Sequence, residues 1–105
     1  MICSPVVAVT ILATGTVSSE CDLGGRYYCV RIILPDMTGA TATVQVALES
    51  GGTYTTLDKP YALGAMALPK QRAHAIEIGG AQFIQLTSAG AEAADRTIYL
   101  QGYSP

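Results

Sequence analysis

Apolar and polar residues alternate with a period of two along most of this chain, and no other feature constrains the fold as strongly. Val44, Val46 and Leu48 alternate with Thr43, Gln45, Ala47 and Glu49. Tyr28, Val30, Ile32 and Leu34 alternate with Tyr27, Cys29, Arg31 and Ile33. His74, Ile76 and Ile78 share one face with Glu77 on the other, and Ile84 and Leu86 do the same around Gln85. Ile98 and Leu100 alternate with Thr97, Tyr99 and Gln101. Successive side chains of a strand point to opposite sheet faces. Each run therefore reads as a strand with one face on a core and one toward solvent or a partner.

The breaks between runs carry turn chemistry. Gly24-Gly25, Pro35-Asp36-Met37-Thr38-Gly39, Ser50-Gly51-Gly52 and Gly79-Gly80 divide the strands, and each flanking pair reads as an antiparallel hairpin. At Gly79-Gly80, parity favours a three-residue loop that pairs Ile76 with Ile84 and His74 with Leu86 on one apolar face. The strands expected are 5–12, 15–22, 26–34, 40–49, 53–57, 73–78, 82–88 and 96–103, with a short helical turn allowed at Ala89–Asp95. Short strands punctuated by glycine predict an all-β fold: an antiparallel β-sandwich, jelly-roll-like or a squat barrel, of seven or eight short strands. The 105 residues, half of them hydrophobic, make one domain with its own core.

The apolar opening Met1–Gly15 has no basic start, Pro5 stands where a signal helix would begin, and Pro5–Ala13 is too short to span a bilayer. It reads as the first strand of a protein made in the cytoplasm without a signal peptide, with residues 1–9 as an N-terminal attachment arm. The absence of Asn, which removes every N-glycosylation acceptor, agrees. Cys3, Cys21 and Cys29 are an odd count without a C-x-x-C, which argues for buried or half-buried thiols and against a disulfide framework. Cys21 and Cys29 flank the expected Gly24-Gly25 hairpin and would lie opposite or diagonal to each other.

The chain offers no recognisable machinery for catalysis. His74 is the single histidine, lies in register with Ile76 and Ile78, and reads as a packed rim residue. It has no partner at metal-ligand spacing, so no metal and no cofactor is expected. No serine sits in a G-x-S-x-G, and the glycine pairs form no phosphate loop. Glu92, Asp95 and Arg96 are close in sequence. Asp95 reads as an acceptor of backbone N–H bonds in the turn before the last strand, with Arg96 pairing across it. The net charge of −2 argues against nucleic acid. Tyr27, Tyr99 and Tyr103 would form a sugar-binding platform if their strands were neighbours on one face.

Charged residues make up 13% of the chain, against ~25% usually. The deficit falls on the outer faces of the strands, which carry Thr, Gln, Ala and Tyr, on the first residues, and on the loop Pro60–Pro69. That loop has no charge inside it. Its Leu63 and Met66 either cover an open end of the core or dock on a partner. The assembly contacts expected from this apolar character are Met1, Ile2, Val6 and Val7 in the arm and Tyr61, Leu63, Met66 and Leu68 in the loop.

Two segments carry a resemblance. Glu49-Ser50-Gly51-Gly52-Thr53-Tyr54 and Gly79–Tyr103 look like parts of small β-sandwich structural proteins of tailed-bacteriophage virions. In the second, Phe83-Ile84-Gln85-Leu86 is followed by a small-residue connection, and Ala94-Asp95-Arg96-Thr97 opens a final strand. Capsid decoration (cement) proteins are the most similar group. The resemblance implies a non-enzymatic virion protein on the capsid surface whose partners are the major capsid protein and copies of itself, a trimer if it sits on a local three-fold. A head-tail connector, tail or fibre-base protein is the alternative within the particle, and a carbohydrate-binding or adhesion module the alternative outside it.

Overall fold

The computed structural model describes residues 1–58 and 64–105, and the regular structure in them is antiparallel β-strand throughout. The strands are β1 (Ile2–Cys3), β2 (Val7–Ile11), β3 (Cys21–Ile33), β4 (Thr41–Ala47), β5 (Thr55–Thr56), β6 (Ala67–Pro69), β7 (Ala73–Ser88) and β8 (Arg96–Ser104). They form one sheet in the order β1-β8-β3-β7-β4-β5, with β2 continuing the β1 edge along β8 and β6 continuing the β5 edge along β4. The all-β antiparallel fold expected from the alternation is therefore present. No strand or helical turn forms in Ala89–Asp95.

The two glycine pairs do not turn the chain. The expected hairpins at Gly24-Gly25 and Gly79-Gly80 are absent; each pair lies inside one long strand, 13 residues in β3 and 16 in β7. β3 and β7 pair with each other along their length, and the glycine pairs meet where the register shifts. Between Asp22↔Phe83 and Tyr27↔Ala81, residues 23–26 of β3 face one residue of β7; between Tyr27↔Ala81 and Cys29↔Glu77, residues 78–80 of β7 face one residue of β3. Gly24, Gly79 and Gly80 have positive φ (77°, 63° and 85°). They permit a pair of opposed bulges that bend both strands, where a turn would have reversed one. Ile76 consequently pairs with Val30 and Ile84 with Cys21, not with each other.

The bend lets both long strands serve two half-sheets. On one side, β1 and β2, β8, the second half of β3 and the first half of β7 lie in sequence. On the other, the second half of β7 pairs with β4, which carries β5 and β6. The expected strand 15–22 is reduced to the bridge Val17↔Thr87 and the start of β3. Backbone bonds from Ser18 to Leu86 and from Ser88 to Thr16 hold that stretch along β7. The inner faces of both halves share one core, with Ile11, Val30, Ile32, Ile98 and Leu100 from the first and Val44, Ile84 and Leu86 from the second. Met37, in the connection before β4, also enters the core, at 2% exposure. The Val44 alternation ends early: Val46 is half-buried, and Leu48 lies beyond the strand.

Candidate assembly surface

β8 is the central strand of the first half-sheet, and its alternation fixes both faces. Ile98 and Leu100 point into the core, so Tyr99, Gln101 and Tyr103 point outward. Residues directly opposite in an antiparallel ladder share a face. The register therefore lays out the outer surface in rows. Tyr99 stands beside Ile33, which stands beside Ala73. Gln101 stands beside Arg31, and Arg31 beside Ala75. Tyr103 lies between Cys3 on β1 and Cys29 on β3, and Cys29 faces Glu77. Four strands thus present a face of small, aromatic and uncharged side chains, on which Arg31 and Glu77 are the charged members of these rows.

The first row is the most apolar. Tyr99 and Ile33 are each 47% exposed, and Val6 is 60% exposed beside them. Together with Arg31 and Gln101 they line a shallow depression of about 210 Å³. A second, larger groove of about 560 Å³ lies where β4 leaves β7, between Gly79-Gly80 and the 95%-exposed Leu48, with Arg26 at its side.

The thiols divide by environment. Cys21 is fully buried; desolvation, aided by Asp22 and Glu20, pushes its pKa up to about 12, which keeps it protonated and inert. Cys3 is exposed and Cys29 half-buried. Cys29 is not across a hairpin from Cys21, since both lie on β3. Cys3 and Cys29 are two strand spacings apart, about 9–10 Å between Cα atoms, which is beyond disulfide reach.

The expected contact residues separate into three groups. Met1, Ile2 and Val6 are open to solvent. Val7 packs against the core, and Val9 just beyond it is buried, so the segment 1–9, expected as an attachment arm, lies along β8 as β1 and the start of β2. Ser4 fastens the break between β1 and β2: its backbone N–H donates to the Gly102 carbonyl, and its Oγ accepts from the Gly102 N–H, both at 2.8 Å. In the loop, Tyr61 and Leu63 lie outside the described residues. Leu68 belongs to the core, because β6 pairs with β4 and turns that side chain inward, and Met66 packs against the same core. Neither side chain is the open contact that the apolar loop suggested.

The tyrosine platform is not assembled either. Tyr99 and Tyr103 share the outer face, but Tyr27 packs against the core beside Gly102. A Cβ on Gly102 would come within 2.7 Å of the Tyr27 ring, so the glycine makes room for the aromatic. His74 is a half-buried rim residue, as its register predicts, and its Nε2 lies 2.8 Å from the Pro69 carbonyl. Among the described residues, no cluster of three or more His, Cys, Asp or Glu side chains is placed to hold a metal ion.

The Glu92 corner holds chemistry of a different kind. Glu92 is 1% exposed, and its carboxylate accepts hydrogen bonds from Thr38 N–H (2.8 Å), Gly39 N–H (3.0 Å), Ser88 Oγ (2.7 Å) and Arg96 Nε (2.9 Å). Burial by itself would raise its pKa. The donors from Gly39, Ser88, Thr38 and Arg96 outweigh that and hold it at about 2. Arg96 thus pairs with Glu92, while Asp95 accepts from the distant Ala13 N–H at 2.8 Å. A satisfied, buried, ionised carboxylate binding the start of β8 to the end of β7 is a structural joint. Glu20 plays a smaller version of that part at the surface, accepting from Tyr54 OH, Gly51 N–H and Ser50 Oγ, and these bonds lower its pKa.

No protein-family model matches this chain, and no curated protein matches its sequence. Two solved structures are similar in fold. One is the SPBc2 prophage-derived protein YomS, with a TM-score of 0.59 and 14% identity, covering 97% of this chain and 95% of that one. The other comes from Bacillus endospore appendages, described as a novel family of disulfide-linked pili, with a TM-score of 0.48 and 10% identity over 99% and 88% of the two chains. The likeness to YomS establishes a shared all-β fold along nearly the whole length of both chains.

The residues that dominate the outer face, Tyr99, Ile33 and Arg31, were absent from the expected contacts. A signal for two of them was in the sequence. Ile33 and Tyr99 are large apolar residues at the polar positions of otherwise regular alternations. Such a residue has no place in the core of its own strand.

Proposed function

We propose that this chain is a non-enzymatic structural protein of a bacteriophage particle, and specifically a decoration protein that binds the outside of the head and braces it. The observation that carries the reading is the exposed, weakly charged outer face around Tyr99 and Ile33, with the open Val6 at its edge. A solitary domain gains nothing from leaving such a surface bare, whereas a partner that covers it gains apolar burial. The fold shared with a prophage-derived protein supports the phage setting. The proposed partners are the major capsid protein and further copies of this chain, and the proposed location is the virion surface, after synthesis in the host cytoplasm. Bracing would come from area buried at subunit junctions and from the β1 edge offering its free main chain for strand addition.

Particle binding tests the reading directly. Removing Met1–Cys3 deletes β1 but leaves Val7 and Val9 in place, so the domain should stay folded while its occupancy on purified heads falls. Undiminished occupancy would remove the N-terminal edge from the interface. Copy number separates decoration from the alternative: on the order of hundreds per particle fits decoration, and about six or twelve fits a connector on the symmetry axis.

A further inference from the structure

We infer that the outer face of β2, β8, β3 and β7 is self-complementary and packs against the same face of a second copy about a two-fold axis, with Arg31 of each copy against Glu77 of the other. This concerns the isolated chain: the face is the one proposed above for the capsid contact, so a copy that binds the head through it exchanges this pairing for that contact.

The charges on the face match each other in sign. The rows described above hold one cation and one anion. Arg31 faces Ala75 across the β3–β7 ladder, and Glu77 is the next outward residue of β7. The two are diagonal neighbours, about 7–8 Å apart. The structure shows no ion pair between them, and the Glu77 carboxylate lies 3.4 Å from the Tyr28 hydroxyl. One charge of each sign on an otherwise neutral face is what a two-fold contact requires, since the same patch must supply both halves of every pair. A face of a single sign would repel its own copy.

Geometry then limits how the copies meet. A two-fold lying between the two faces that exchanges the positions of Arg31 and Glu77 must run across the line joining them. Cys29 lies close to that axis, because it is directly opposite Glu77 and two residues from Arg31 on β3. Each Cys29 therefore approaches its own mate. The two sheets cross at a wide angle, one of the two usual ways for sheets to pack. Ala75 beside Arg31 leaves the centre of the face low enough for close approach.

Area sets the strength. Four strands wide and about five residues long, the face covers roughly 320 Å² in projection, against about 800 Å² per partner for a standard interface. Pairing in dilute solution should be weak, concentration-dependent and weakened by salt. The arrangement gives an even-numbered assembly, where a shell junction would lead one to expect a trimer.

Sedimentation of the full chain across a wide concentration range tests this. The wild type should form a dimer. R31E and E77R should each weaken dimerisation about tenfold or more, and the double swap R31E/E77R should restore it. A75R, which wedges a bulky cation into the centre of the face, should abolish it; circular dichroism confirms that each variant folds. Diamide supplies a second readout. It accepts two electrons and two protons from a pair of thiols as the S–S bond forms, and the dimer it traps should be linked Cys29 to Cys29, with the yield lost in R31E. A chain that stays monomeric at all concentrations would overturn the inference. So would a trimer indifferent to both reversals, or a double swap that fails to restore what the single changes remove. Particle binding is measured separately, so either proposal can fail without the other.

Discussion

Around Glu92 a full negative charge is buried beneath two backbone N–H groups, a hydroxyl and a guanidinium; on the outer face of β8 and β3, Tyr99 and Ile33 lie half open to water, with Arg31 the charged side chain beside them. The two regions invert the ordinary placement of polar and apolar groups. The first inversion is fully compensated inside the chain, since every donor and acceptor finds a partner. The second has no compensation within the chain. A buried charge with all of its bonds made belongs to the fold, whereas an apolar face with nothing on it belongs to whatever covers it. The proposed role rests on that contrast, and each experiment below presses on one side of it.

The largest effect should come from Glu92→Ala. It leaves the buried Gly39 N–H and the partly buried Thr38 N–H and Arg96 guanidinium without their shared acceptor, which costs about 3–5 kcal/mol. Denaturant melts would show a loss of that size. A loss below about 1 kcal/mol would mean that water replaces the carboxylate and that the corner is no joint. Gly39→Ala attacks the same joint from the other side, because its Cβ would collide with Ser88 Oγ and lie 3.0 Å from the Ala89 nitrogen.

Acid should reproduce much of the first effect without mutation. The folded pKa of Glu92 is about 2, below its ordinary value of 4.5. A depressed carboxylate contributes stability that is complete above the ordinary value and is lost as pH falls through the folded one. Stability should therefore decline from about pH 4.5 toward pH 2, by about 3 kcal/mol from this group. In Glu92→Gln that decline should flatten, leaving a smaller slope from Glu20, whose pKa is also lowered. An unchanged acid profile in the glutamine variant would show that another carboxylate sets the acid limit.

Gly102→Ala should have an intermediate effect, about 1–3 kcal/mol, because Tyr27 must leave its seat beside β8. If Tyr27 swings outward to relieve the clash, tryptic sensitivity at the neighbouring Arg26 should rise along with the loss of stability.

The alternation revealed the strands that cross the core, and the inner residues of β7 and β8 follow it; in β3 the bulge inverts it, so that Tyr27 packs against the core and Tyr28, expected on the inner face with Val30, is 50% exposed. What it could not reveal is the meaning of the glycine pairs. Gly24-Gly25 and Gly79-Gly80 are written like turns, and each is locally consistent with one. They become bulges because they stand opposite each other, a fact about two segments more than fifty residues apart in sequence. Glu92 was legible as one of three close charges but not as a buried hub, since its partners Thr38 and Gly39 come from a distant loop. The open face was legible in composition, as missing charge, before it could be placed. Only the register shows that the uncharged positions of β8, β3 and β7 fall in common rows.

The smallest effect on stability is the most informative about the contrast. The pair of changes Tyr99→Thr and Ile33→Thr keeps β-branched or strand-forming character and removes the largest apolar groups of the face. Both side chains are nearly half exposed in the folded chain, so little core packing is lost. The melting transition should move by no more than about 0.5–1 kcal/mol. Solubility should rise, and both self-association and occupancy on particles should fall. A large destabilisation would mean that these residues already complete the packing of the half-sheet and that the face is closed by the fold itself. A small one, joined to lost association, would mean that the chain keeps this surface apolar at no benefit to its own stability, leaving contact as the reason for it.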